Sequence, residues 1–172
     1  MMGRALLIIG ALATLAFLAS GVLGYLLVGR GDAGLQRHML LALGACLGLV
    51  FAHCWILLYL IGTGRAIRQT VQEARLEPFY VEEAGRLLWS VAPWLLATLG
   101  LAVATFLLGG AVTTGAIRPL IHHILFFVSL AVQIWILWRE HRVLRTNQAL
   151  IDEIDRRLAS PGVDGLGQGV AG

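Results

Sequence analysis

Five histidines, His38, His53, His122, His123 and His141, are the side chains of this sequence that can exchange a proton near neutral pH or give a lone pair to a metal. All but His141 fall within stretches free of Arg, Lys, Asp and Glu. Polar groups inside such stretches are costly in lipid and commonly functional. The chemistry that fits is axial ligation of a b-type haem by two histidines on neighbouring helices at one depth. His38 stands at the start of one apolar stretch, and His122 and His123 stand at the start of another on the same side, so His38 with either of them meets the depth condition. His53 lies roughly 15 Å deeper than His122 by the helical rise and makes a poor axial partner. It is expected to hydrogen-bond a neighbouring helix. No metal-ion site is expected, because His122 and His123 are adjacent and project about 100° apart on a helix.

A second constellation is a polar stripe. His122, Ser129 and Gln133 share one helix face at offsets of seven and eleven, a pattern that lines a pathway or holds helices together by hydrogen bonds of about 1–2 kcal/mol each. Small residues add packing signals: Gly44 and Gly48 form a GxxxG, with Ala45, Gly48 and Ala52 on one side of the same helix, bordered by His53. Ala97, Gly100 and Ala104 repeat the pattern further on. Cys46 and Cys54 are eight residues apart, roughly 12 Å along a helix, too far to bridge, and are expected to be two small buried apolar residues. No HExxH, CxxC, P-loop or Gly-x-Ser-x-Gly pattern occurs, so the enzyme classes that carry those motifs lack support.

The elements that must position these residues follow from charge spacing. About 20 apolar residues span a bilayer. Four charge-free stretches meet that length: Ala5 to Gly29, His38 to Gly64, Leu87 to Ile117 and Pro119 to Trp138. They predict transmembrane helices over about residues 5–28, 39–62, 88–110 and 119–138. The first resembles a secretory signal in its leading Arg4 and its small residues Ala19, Ser20 and Gly21, but its apolar run continues past the usual signal core, and a retained helix is expected. Composition agrees with an all-α polytopic membrane protein: of 172 residues, 58% are hydrophobic and 13% charged, and mean hydropathy is +0.81.

The connections are unequal. Two short glycine-bearing links occupy one side, whereas the other side carries residues 63–87, read as a helical hairpin broken at Pro78, and residues 139–158, read as a helix. Ile67, Val71 and Ala74 offer an apolar face to the seam made by Leu144, Asn147, Ile151, Ile154 and Leu158. Residues 159–172, with five glycines and Pro161, are expected to be disordered. Arginine supplies all thirteen basic residues; ten flank the side with the extensions and three, Arg30, Arg37 and Arg118, the other. That bias predicts cytoplasmic termini in a plasma (inner) membrane protein. The arginines mark helix ends, which argues against a nucleic-acid partner.

From these features the principal expectation is a non-catalytic accessory or scaffolding subunit of a membrane complex, in contact with lipid and with a membrane-protein partner or a second copy. A haem-binding electron-transfer subunit using His38 with His122 or His123 is the second reading, and a small transporter or channel along Ser129 and Gln133 the third.

Overall fold

The computed structural model describes residues 2–27 and 31–159. Arg30 and the expectation of a disordered tail from residue 160 onward lie outside them. Within them the chain forms four helices: α1 (Met2–Leu27), α2 (Asp32–Ala74), α3 (Phe79–Thr113) and α4 (Pro119–Ala159). All four are long and apolar enough to cross a membrane. Large apolar side chains such as Leu12, Leu40, Leu58, Leu96, Leu107 and Ile134 point outward, an arrangement that water disfavours and lipid does not.

α2 and α4 do not stop where their apolar stretches do. With 43 and 41 residues, each is about 60 Å long against a hydrocarbon core of about 30 Å. Once begun, a helix continues through a change of solvent unless a residue breaks it, and none does until Arg75. That residue takes the left-handed conformation (φ 53°, ψ 40°) and ends α2, Leu76 N–H closes on the Val71 carbonyl, and Pro78 caps α3. At the other end Pro119 opens α4, where its missing N–H leaves no ladder bond unmade.

The helices pack in ring order, α1 on α2, α2 on α3, α3 on α4 and α4 on α1. α2 and α4 also touch across the middle, whereas α1 and α3 do not among the described residues. Three apolar clusters fill the bundle from end to end. The first, near the α1–α2 and α3–α4 turns, contains Phe17, Leu49 and Phe126. The second contains Ile56, Leu95 and Ile136. The third lies in the extensions, where Ile67, Val71, Tyr80, Ala84, Leu150 and Ile154 close a core between α2, α3 and α4. Leu158, expected in that seam, is exposed, and Leu150 packs there instead.

Two packing expectations are corrected. Ala97 and Gly100 are exposed, and α3 turns Val91, Leu95, Thr98, Ala102 and Thr105 inward instead. The bulkier face wins because it fills the core, while small residues on the opposite face cost little against lipid. The GxxxG does not act as a unit either: Gly48 approaches α1, where a Cβ would lie 3.4 Å from that of Ala13, while Gly44 faces open space.

Candidate functional site

The second half of α1, the start of α2, the end of α3 and the start of α4 frame a cavity of about 340 Å³, within the size range of cofactor sites. It is lined by apolar side chains together with His38 from α2 and His122 and His123 from α4. Glycines make the room. A Cβ at Gly24 of α1 would stand 2.9 Å from Cε1 of His38, and one at Gly109 of α3 would stand 3.0 Å from Cε1 of His122. A Cβ at Gly21 would overlap the Phe126 ring. Each imidazole therefore lies against the backbone of the helix preceding its own, in a slot that any larger residue would fill.

The two slots correspond. His38 Nδ1 is 2.9 Å from the Ser20 carbonyl, four residues before Gly24. The backbone carbonyl of Thr105, four residues before Gly109, lies beside the His122 ring without closing a hydrogen bond, so His122 Nδ1 is buried and unpartnered. The positions Ser20, Gly24 and His38 of the first hairpin thus match Thr105, Gly109 and His122 of the second. An Nδ1–H donated to a carbonyl fixes the tautomer and leaves the Nε2 lone pair free, which is the usual preparation of a metal-ligating histidine. His123 also borders the cavity but packs against Tyr25 in a tilted arrangement, with ring centroids 5.0 Å apart and planes at 39°.

The polar stripe of α4 divides: His122 borders the cavity, while Ser129 and Gln133 face the bundle core and are taken up in hydrogen bonds. Ser129 Oγ lies 2.7 Å from Thr105 Oγ1. Gln133 bonds Thr14 Oγ1 at 3.3 Å and His53 on α2. His53 Nδ1 lies 2.6 Å from Glu140 Oε1, and both side chains are fully buried. Asn147 and Thr63 join α4 to α2 one step further on. Glu140 is the residue that reading the sequence missed. Charge spacing places it beyond the fourth span because Arg139 precedes it, yet it sits seven residues after Gln133 on the inward face. Continuation of the stripe at that spacing was the available signal.

At the same level, Arg139 lies over the Trp135 ring and Arg142 over that of Trp138, at 5.1 and 4.4 Å from the centroids, an aromatic and basic belt of the kind found at membrane interfaces. Cys46 is buried, whereas Cys54, expected to be buried as well, is exposed. No group of three or more His, Cys, Asp or Glu that could hold a metal ion occurs among the described residues. No family model, curated protein or solved structure matches the chain.

Proposed function

We propose that this protein is a haem-binding electron-transfer subunit of a membrane complex, with His38 and His122 as the axial ligands of one b-type haem. The observation that carries the reading is the pair of equivalent glycine slots that bring two imidazoles, from helices diagonal in the bundle, to one apolar cavity. Packing alone explains neither the glycines nor the unpartnered His122 Nδ1. The residues present suit the group. Mostly apolar walls would surround the macrocycle, His38 and His122 line the cavity, and the exposed Arg37 and Arg118 are next in sequence to the lining residues His38 and Pro119, where carboxylate substituents would find them. A bis-histidine haem supplies one-electron transfer without an open coordination position. The protein's part is to hold both rings, fix the His38 tautomer through Ser20, and keep the site dry.

The expectation of a subunit role is retained within this reading, since an electron carrier needs a donor and an acceptor. The ten-to-three arginine bias supports cytoplasmic termini and a cavity near the outer face. The test is the absorbance spectrum, oxidised and dithionite-reduced, of protein purified gently from its own membrane. A Soret band with reduced α and β bands is expected, lost in His38→Ala and His122→Ala and kept in His123→Ala. A colourless wild-type protein overturns the assignment and returns the accessory role to first place.

A further inference from the structure

The His53–Glu140 pair stands outside the cavity and has no part in holding a haem. Two ionisable side chains, both 0% exposed, meet at 2.6 Å in the second apolar cluster. A pair kept only for stability is a poor use of such a place, because apolar residues of the same volume often serve as well. Two details point to proton exchange. First, Gln133 presents both ends of its amide to the far ring nitrogen. Its Nε2 is 2.9 Å from His53 Nε2 and its Oε1 is 3.1 Å from the same atom. A neutral ring donates Nδ1–H to Glu140 and accepts at Nε2 from the Gln133 N–H, whereas a charged ring donates at both nitrogens, the second bond going to Gln133 Oε1. Either state finds its partners without moving the backbone. Second, Glu140 Oε2 is buried with no partner, beside Gly10 of α1 and the Leu137 side chain that packs on it, a Cβ at Gly10 lying 3.9 Å from the oxygen and 3.1 Å from Leu137 Cδ2.

We propose that His53 and Glu140 form a proton-exchange site that loads and releases one proton inside the bundle, reached from the aqueous side on which the α2 and α4 extensions stand. Loading takes one proton from that water to His53 Nε2 and changes the pair's net charge from −1 to 0; release returns it, and no electron or other reactant is involved. The register places the pair nearer that side: Arg139, next to Glu140, is half-buried and His141 and Arg142 are exposed, so a proton reaches it by fluctuations of Leu60, Val143 and Leu144, which pack between. Toward the histidine cavity the path is filled by Phe17, Leu49 and Phe126. The charged and titratable groups near the pair leave it uncompensated. On α1 its neighbours are Gly10 and Thr14, with Arg4 exposed beyond them. On α2, Cys46 lies two turns away, Tyr59 is half-buried in the apolar cluster and Arg65 is exposed. From α3 the apolar Val91 and Leu95 share the cluster, with Arg86 exposed. On α4, Arg139 is spent on the Ser90 carbonyl. None of these charged groups bonds to the pair.

The test is independent of haem, since a colourless protein carries it out equally well. Purified wild-type protein and His53→Gln are titrated between pH 5 and pH 9 with a calibrated pH electrode, and the ring nitrogens of wild-type protein labelled with ¹⁵N-histidine are followed by NMR over the same range. Wild type is expected to bind one proton more per chain than His53→Gln, and the ring absent from the variant's spectrum is expected to pass from one N–H to two. Equal proton counts, or a His53 ring that keeps one form across the whole range, overturn the proposal. Where the variant fails to fold, the wild-type ring spectrum decides alone.

Discussion

At the residue scale, the strongest constraints are glycines whose missing side chains give histidines their places. Gly24→Val and Gly109→Val are each expected to evict one imidazole, so that bound haem falls well below one per chain while helix content by circular dichroism stays at the wild-type level. The Glu140 prediction concerns stability. Glu140→Ala leaves His53 buried without its carboxylate, which by analogy with other broken buried pairs costs about 3–5 kcal/mol. Equilibrium denaturation in mixed detergent micelles would register it, and Glu140→Gln, which keeps a hydrogen-bonding partner, should cost less. How far these roles were legible in the sequence differs by residue. That His38 shares a depth with His122 and His123 was legible, since distance along a helix needs only counting, and all three border one cavity. The glycine slots were not, because each forms between two helices and the register that pairs Gly24 with His38 is not written in either. Glu140 was hidden by the rule that treats a charge as a membrane boundary, which fails when the charge turns inward.

Among the elements, α2 and α4 carry the architecture because they run unbroken from the cavity through the bundle into the extensions. Charge-free stretches located the apolar part of each helix, and the apolar spacing beyond them carried α2 on to the break at Pro78 and α4 on to about Leu158, since a charged residue changes the solvent a helix prefers and leaves its backbone ladder intact. The break at residues 75–78 was legible in Pro78, while the left-handed Arg75 that ends α2 carries no such mark. Where α2, α3 and α4 close the third core, Ile154→Ala should cost about 2–5 kcal/mol. Because that core is far from the cavity, limited proteolysis should cut the extensions sooner in the variant while its absorbance spectrum remains that of the wild type.

For the whole molecule, the arginine bias and the aromatic belt around Trp135 and Trp138 predict the same orientation. With Cys46 and Cys54 replaced by serine, Ala116→Cys in the α3–α4 turn should react with a membrane-impermeant maleimide on intact cells, and Ala149→Cys in the α4 extension only after lysis. The reverse pattern would invert the proposed topology. The correspondence between the two slots reaches beyond binding. His38 and His122 each rest against a glycine of their own hairpin, so each half of the chain is expected to carry one slot of the cavity before the halves meet. Assembly then reduces to docking the two pieces, and the chain cut between Glu77 and Pro78, with its halves produced as separate polypeptides, should show on association in the membrane the same absorbance spectrum as the uncut chain.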